Sequence, residues 1–184
     1  RVYKHAIHKR ERLARMIDSM LFLARTEQSD AAVTATQIDL HELVEQLCEY
    51  FEGVAQERDV ALVNQAHDRL MADPGLVRRA LANLLANALR YATPDSAVTI
   101  SSLLLPDRVE ITVHNQGPPI AAQHLPRLFE RFYRCDPSRN QPDDSGGLGL
   151  AIVRSIMQLH GGWVTVASDK SGTRFSLGFP LADT

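Results

Sequence analysis

Residues 115–148 show neither helical nor strand periodicity, and this stretch restricts the possible folds more than any other part of the sequence. Compact domains rarely contain an irregular segment of roughly thirty residues unless it is functional, such as an active-site lid. The segment begins with Asn115, Gly117 and Ile120, and it ends in the run SGGLGL at residues 145–150. The rest of the chain must therefore form a scaffold that supports both ends of this segment.

Helical and strand patterns alternate along the chain. The predicted helices span residues 2–28, 39–58, 74–91 and 148–159. The predicted strands span residues 59–64, 97–105, 108–114, 163–168 and 173–179. Turn residues join two pairs of these strands into hairpins, at 106–107 and at 171–172. This order of elements predicts an α+β fold of two layers, with a mixed sheet on one side and helices on the other.

Two of the helices have clear start signals. Asp39 and Glu42 have the spacing of a capping box, in which the first side chain accepts a hydrogen bond from the free backbone N–H groups of the first turn. Asp73 is the predicted N-cap of the following helix, with Pro74 at its first position and Tyr91 at its end. The apolar residues of that helix fall on one side, which we expect to face the core: Val77, Leu81, Leu84, Leu85 and Ala88.

Residues 1–29 predict one long amphipathic helix that precedes the main domain. Its apolar residues recur at helical spacing along one seam: Leu13, Met16, Ile17, Met20, Leu21 and Leu23. Such a seam favours packing against another helix in a bundle, and docking onto the chain's own domain is the alternative. Residues 30–37 predict a linker, and residues 38–184 the main domain. Because the sequence begins inside the helix without an initiator Met, we expect a longer parent protein.

Composition excludes several classes of function. The chain has 184 residues and a formal net charge of −2, and its basic residues lie among acidic ones, so no nucleic-acid partner is predicted. Cys48 and Cys135 lack paired spacing, which indicates free thiols rather than disulfides or a zinc site. No apolar run approaches the roughly 20 residues of a membrane-spanning helix, so we expect no membrane contact by this part of the protein.

Polar residues on the helix at 74–91 form the first half of a candidate site. Asn83, Asn87 and Arg90 are three and four residues apart, so their side chains converge on one patch away from the apolar side. These residues can be ordinary solvent-facing side chains. Alternatively, amide oxygens and waters hold a hard cation such as Mg²⁺ while Arg90 meets phosphate.

The irregular segment at residues 115–148 contains the second half of the candidate site. Glycines before a helix allow the backbone to approach a ligand, and the free N–H groups of the helix N-terminus attract phosphate, although such a turn is often a plain loop. Between its ends, the run LFERFYR at residues 128–134 contains aromatic anchors and arginines that can reach a triphosphate. Together with the polar helix face, these features predict a nucleotide site.

The chain resembles the histidine kinases of two-component systems, whose catalytic domain shares its fold with gyrase, Hsp90 and MutL ATPases. Four stretches resemble the family's N, G1, F and G2 boxes, in the family's order: NLLANALRY (83–91), HNQGPPI (114–120), LFERFYR (128–134) and GGLGLAIV (146–153). MLFLAR, residues 20–25, resembles the end of the second dimerisation helix. MLFLAR, NQGPPI and FYRCDPSR resemble in particular the heavy-metal, copper-type sensor kinases. The resemblance implies the Bergerat ATP-binding fold.

The resemblance also assigns roles to residues. It implies that Asn87 binds Mg²⁺ with support from Asn83, that Arg90 meets phosphate, and that Tyr91 lines the adenine pocket. The other residues that it implies to bind ATP are Asn115, Gly117, Ile120, Phe132, Gly147, Leu148, Gly149 and Leu150. The resemblance implies that Arg134 and Arg139 contact the γ-phosphate. For Arg131 it leaves open a structural role instead, in holding the F box.

Three positions depart from the family pattern. Asn115 stands where the family usually has an Asp that accepts a hydrogen bond from the adenine amino group, and a neutral amide accepts the same bond without charge. Pro119 replaces a glycine of the G1 box and stiffens that end of the segment. Ser145 replaces the first glycine of the G2 box, which affects the fit of the loop around the phosphates.

The implied reaction is transfer of the ATP γ-phosphoryl group to a histidine of the dimerisation domain, with onward transfer to a response regulator receiver domain. The implied full-length protein is a homodimer at the bacterial inner membrane, and this chain is part of its cytoplasmic region. A family acceptor histidine lies in a segment resembling HELRTP, which this sequence lacks. We therefore expect the chain to bind ATP and Mg²⁺ without phosphorylating itself.

The histidines of the chain have other interpretations. His5 and His8 are predicted to be surface residues, and His160 lies near a helix C-terminus, which favours positive charge. Two alternative functions stay open at this point. One is a degenerate nucleotide-sensing scaffold, and the other is an ATPase or serine kinase of the same superfamily.

Overall fold

The computed structural model describes residues 2–28, 31–135 and 146–181. Its helices are α1 (Val2–Thr26), α2 (Leu40–Glu57), α3 (Pro74–Tyr91) and α4 (Gly149–Leu159). Its strands are β1 (Thr36–Asp39), β2 (Val60–Gln65), β3 (Arg69–Ala72), β4 (Ser96–Leu104), β5 (Arg108–Asn115), β6 (Trp163–Asp169) and β7 (Gly172–Pro180). The side chains of His5 and His8 and all of Arg139 and Ser145 lie outside the described part, so the predictions for them stay predictions.

The main sheet has five strands in the order β2-β4-β5-β7-β6. The pair β2 and β4 is parallel and the other neighbours are antiparallel, so the sheet is mixed. Along β5, buried Val109, Ile111 and Val113 alternate with more exposed residues, as expected for a sheet covered on one face. Helices α2, α3 and α4 contribute the opposing apolar side of the core. The predicted two-layer α+β sandwich is confirmed.

The start signals of α2 and α3 work as predicted. The Asp39 carboxylate accepts a hydrogen bond from the Glu42 N–H at 3.1 Å, and the Asp73 carboxylate accepts one from the Leu76 N–H at 3.2 Å. Each bond satisfies a backbone donor that the first helical turn leaves free. Pro74, which has no N–H, occupies a position in α3 where none is needed.

His160 connects the C-terminal end of α4 to the N-terminal end of α3. Its Nε2 accepts a hydrogen bond from the Asp73 N–H at 3.1 Å, and its Nδ1 donates to the Ile156 carbonyl at 2.8 Å. The predicted position near a helix C-terminus is confirmed, but the ring is neutral because Nε2 must keep its lone pair. This contact joins opposite ends of the two helices, since His160 follows the last residue of α4 and Asp73 precedes the first residue of α3.

Helix α1 docks onto the chain's own domain, as the alternative interpretation of its seam predicted. Leu23 is buried, and the Thr26 and Ser155 hydroxyl oxygens lie 2.7 Å apart. The other side of α1 stays at least half exposed at five of its described apolar residues: Ile7, Leu13, Ile17, Met20 and Leu21. The apolar seam therefore divides into a docked part and an exposed part, and packing against a second helix stays a prediction for the exposed part.

A small second sheet was missed by the sequence analysis. Strands β1 and β3 pair antiparallel, with Thr36 opposite Ala72 and Asp39 opposite Arg69. Strand β1 includes two residues of the predicted linker and ends at the N-cap of α2. Four-residue strands are too short to show clear alternation, and their pairing depends on contacts that are distant in sequence.

The two cysteines are free thiols, as predicted. Partial burial raises the pKa of the Cys48 thiol and of the Cys135 thiol.

Within the described ranges, every helix is too short or too polar to cross a lipid bilayer.

Ser102 organises the turn that leads into β3 and hence into α3. Its buried Oγ accepts hydrogen bonds from the N–H groups of His67, at 3.0 Å, and Asp68, at 3.1 Å. The same hydroxyl donates to the Asp68 carboxylate at 2.6 Å. One side chain of β4 thus satisfies two backbone donors and one acceptor of the turn.

The variant Ser102→Ala should lower the free energy of unfolding by about 2 kcal/mol, because two backbone N–H groups lose their acceptor. Chemical denaturation measures this change. Ser101→Ala is the matched control, since Ser101 is the neighbouring serine of β4 and is not buried. Equal stability of the two variants would contradict this account of the turn.

Candidate functional site

The polar side of α3 ends in a patch formed by Asn83, Asn87 and Arg90, all partly buried. The Nδ2 atom of Asn83 is buried and has no hydrogen-bond partner among the described residues. A buried amide donor without a partner costs about 1–3 kcal/mol, so such groups usually meet a ligand or water. This side of α3 is therefore suited to a polar ligand rather than to plain solvent contact.

The last turn of α3 combines Arg90 and Tyr91. The guanidinium carbon of Arg90 lies 5.8 Å from the centre of the Tyr91 ring, and Tyr91 itself is 52% exposed. Arg58 donates to the Arg90 carbonyl at 3.3 Å, which satisfies a free acceptor at the helix end. An exposed aromatic face beside two arginines can bind a flat, electron-rich ring next to an anion.

Asn115 lies at the end of β5, between Val98 of β4 and Thr173 of β7, and is only 3% exposed. Its Nδ2 donates to the Gln116 carbonyl at 3.3 Å. Because this bond engages the amide nitrogen, Oδ1 is the acceptor that the side chain can offer to a ligand.

The loop after β5 is attached directly to the end of α3. The Thr93 N–H donates to the Gln116 carbonyl at 2.9 Å. A methyl group added to Gly117 would collide with the Tyr91 carbonyl oxygen and come within 3.2 Å of the Asn115 Nδ2. The structure therefore brings together Tyr91, Asn115 and Gly117, and only glycine allows this close approach.

Two hydroxyl residues beside this cluster were missed by the sequence analysis. Ser168 of β6 accepts a hydrogen bond from the Ile120 N–H at 2.9 Å, and its Oγ lies 2.8 Å from Oγ1 of Thr173. Thr173 is buried and lies opposite Asn115 in the sheet. Serine and threonine are common in strands, so only the register of β6 and β7 reveals that these hydroxyls adjoin the site.

The glycine-rich turn leads directly into the start of α4. Gly146 and Gly147 have φ angles of 65° and 82°, which favour glycine, and Leu148 is fully buried beneath them. Helix α4 begins at Gly149, and among the residues that the structure describes no side chain caps its first N–H groups. These donors, together with the positive end of the helix dipole, suit an anion such as phosphate.

The run LFERFYR contacts the same turn. The Phe132 N–H donates to the Gly147 carbonyl at 2.9 Å, and a methyl group on Gly147 would lie 3.0 Å from the Phe132 Cα. Phe132 has a positive φ angle of 62° and a side chain that is 52% exposed. Arg134 is partly buried, whereas Arg131 forms an ion pair with Glu27, which directly follows α1. Arg131 is therefore paired within the protein, and the structural role assigned to it stays a prediction.

The oxygen donors on the polar side of α3 fit a magnesium ion that is held mainly by phosphate and water. Among the residues that the structure describes, no group of three or more His, Cys, Asp or Glu side chains lies close enough to hold a metal. Mg²⁺ in phosphoryl-transfer sites keeps several waters and binds one or two protein oxygens plus phosphates. The Asn87 amide oxygen would supply one such oxygen, and the ion would neutralise phosphate charge there.

The family model of "Histidine kinase-, DNA gyrase B-, and HSP90-like ATPase" matches residues 72–183. Sensor histidine kinase CusS of Escherichia coli O157:H7 is 42% identical over 170 residues, which cover 92% of this chain and 35% of that protein. Sensor protein CzcS of Cupriavidus metallidurans is 42% identical over 172 residues, 93% of this chain and 36% of that protein. The chain thus spans about a third of the length of these relatives.

Among solved structures, full-length ShkA in complex with AMPPNP superposes with a TM-score of 0.84 at 25% identity. The superposition covers all of this chain and 39% of that chain. It includes α1 as well as the sheet and its helices, since the whole chain is covered.

The variant Gly117→Ala should lower the free energy of unfolding by about 2 kcal/mol, because its methyl group overlaps the Tyr91 carbonyl and must push the end of α3 away. Thermal and chemical denaturation measure the loss. Gly53→Ala is the matched control, since a methyl group at this α2 position meets no atom within 4 Å and a helical alanine should stabilise. A Gly117→Ala variant as stable as the control would show that the loop does not need this close approach.

Proposed function

Because the chain belongs to the family of histidine kinase-, DNA gyrase B- and HSP90-like ATPases, we propose that it is the ATP-binding catalytic part of a sensor histidine kinase. It binds ATP with Mg²⁺ and provides the γ-phosphoryl group to a histidine of a dimerisation domain. The observation that carries this proposal is the buried Asn115, whose side-chain amide adjoins Gly117 where Gly117 lies against the Tyr91 carbonyl at the end of α3.

Adenine is the base that this pocket recognises. Its exocyclic amino group donates to Oδ1 of Asn115, which is oriented by the bond from Nδ2 to the Gln116 carbonyl. The ring packs beside Tyr91 and Ile120, and the absence of a side chain at Gly117 leaves room for it. A guanine ring carries a carbonyl at the corresponding position and would face the Asn115 oxygen acceptor to acceptor, so ATP is favoured over GTP.

The triphosphate lies between α3 and the start of α4. Arg90 and the free N–H groups of Gly149 and Leu150 bind phosphate oxygens, and Arg134 contacts the γ-phosphate. Asn87 and Asn83 orient the polyphosphate and its magnesium ion, with the unpaired Asn83 Nδ2 as a further donor. Magnesium supplies charge neutralisation of the phosphates. Phosphoryl transfer depends mainly on such positioning and charge stabilisation, and these groups provide both.

The partners follow from the proposed reaction. The phosphoryl group passes to the imidazole nitrogen of an acceptor histidine on the dimerisation helices of a homodimer, and from there to a response regulator receiver domain. Identity of 42% to CusS and CzcS extends over more than nine-tenths of this chain, which supports a place in the heavy-metal group of sensor kinases. In such a protein the chain is the cytoplasmic part of an inner-membrane sensor.

ATP binding should depend on magnesium through Asn87. Asn87→Ala should raise the Kd for ATP about tenfold or more in the presence of Mg²⁺ and change it little in EDTA, because the variant removes an oxygen that orients the ion. Isothermal titration calorimetry measures both values. Gln56→Ala, which removes an exposed amide of α2, is the control. Magnesium-independent binding that Asn87→Ala leaves unchanged would favour a nucleotide-sensing scaffold instead of a kinase.

Phosphorylation should require a histidine from outside the chain. The chain incubated alone with γ-³²P-ATP should stay unlabelled, since it contains no segment resembling HELRTP. A separately expressed dimerisation domain of CusS, added to the reaction, should acquire acid-labile, base-stable label. Acid-stable label on serine, or label on the isolated chain, would contradict the proposed reaction.

A further inference from the structure

We infer that α1 and the turn that follows it are part of the nucleotide site, with Met16 and Glu27 as positioning residues for the two segments that carry Phe132 and Gly147. This inference rests on the proposed function, because it concerns the strength of ATP binding at that site. It makes docking of α1 and binding of ATP mutually reinforcing.

Glu27 positions the LFERFYR segment. Its carboxylate forms an ion pair with the guanidinium of Arg131, 104 residues away in the sequence. Arg131 directly precedes Phe132, and the Phe132 N–H is bonded to the Gly147 carbonyl. A contact made by the residue that directly follows α1 therefore restrains the aromatic segment where it meets the glycine-rich turn. Since its charge is matched by Glu27, Arg131 acts through position rather than by contacting phosphate.

Met16 positions the other side of the same junction. A methyl group added to Gly146 would lie 2.5 Å from the Met16 Cε, so the Met16 side chain covers this glycine. Gly146 has a φ angle of 65° and leads through Gly147 to the free N–H groups of α4. Helix α1 and the turn that follows it therefore contact the residues on both sides of the bond between Phe132 and Gly147.

The position of α1 is itself set by rigid helices. Arg79 of α3 forms an ion pair with Asp18 at 3.0 Å, and its guanidinium carbon lies 4.2 Å from the centre of the Phe22 ring. Leu23 is buried, and Thr26 meets Ser155 of α4 at 2.7 Å. Because α3 and α4 carry the phosphate-binding groups, α1 fixes the Phe132–Gly147 junction relative to those groups.

These contacts couple docking of α1 and binding of ATP positively, so that each event strengthens the other. Ordering a loop segment costs conformational entropy, and docked α1 has already ordered both segments before ATP arrives. ATP then binds more tightly to the docked form, and by linkage bound ATP strengthens docking by the same factor. Release of α1 should lower ATP affinity without removing any group that contacts the nucleotide.

A charge-swap series tests the role of Glu27. Glu27→Arg should raise the Kd for Mg-ATP about fivefold or more, and Arg131→Glu should do the same. The double variant Glu27→Arg with Arg131→Glu should return to within about twofold of the original value, since the ion pair is restored with reversed sign. Arg25→Gln, an exposed change in the last turn of α1, should leave the Kd unchanged. Recovery in the double variant would exclude a direct phosphate contact by Arg131.

A disulfide between α1 and α4 tests the coupling in the opposite direction. The variant with Thr26→Cys and Ser155→Cys, in a background with Cys48→Ser and Cys135→Ser, places two thiols where the hydroxyl oxygens are 2.7 Å apart. The oxidised protein should bind Mg-ATP more tightly and release a fluorescent ATP analogue more slowly than the same protein after reduction. Reduction of the disulfide should return the Kd for Mg-ATP and the release rate of the analogue to the values of the original chain.

The outcomes separate the two proposals. If the original chain binds Mg-ATP but Glu27→Arg and the oxidised variant bind it equally well, the coupling is wrong and the nucleotide site stands. Tighter binding by Glu27→Arg also overturns the inference, because α1 would then obstruct the site. If the original chain binds no ATP, the proposed function fails and the coupling fails with it.

Discussion

The burial of one side of α3 against the sheet is the interaction on which the rest of the structure depends. Val77, Leu81 and Leu84 are fully buried, and this apolar contact fixes the rotation of the helix about its own axis. Because the helical repeat is 3.6 residues, the same rotation places Asn83 and Asn87 on the polar side. A helix with two such different sides can serve the core and a ligand at once.

The candidate site also requires that backbone segments approach each other closely. The Tyr91 carbonyl and Gly117 lie too near each other for any side chain at position 117, and this contact joins the end of α3 to the buried Asn115. At the other half of the site, Phe132 meets Gly147 backbone to backbone. Glycine is needed at both junctions for a steric reason, which explains why glycines bracket an otherwise irregular segment.

Helix α1 extends the packed unit beyond the sheet and the three helices that cover it. Its docked side contacts α3 and α4, and together with the following Glu27 it contacts both sides of the Phe132–Gly147 junction. Its other side keeps apolar residues such as Leu13 and Ile17 in solvent. One helix thus presents two surfaces with different roles. In a sensor kinase, this arrangement would let a change in the dimerisation helices reach the nucleotide through direct contacts.

The sequence by itself determined the elements whose causes are local: the start of α3 at Asp73 and Pro74, its two-sided pattern, and the two-layer fold. The four ordered motifs also identified the family, although the role of each site residue stays a prediction. Only the tertiary structure decided the pairing of β1 with β3, the neutral state of His160 and the docking of α1. These features depend on partners distant in sequence, and local propensity and spacing contain no information about which distant groups meet.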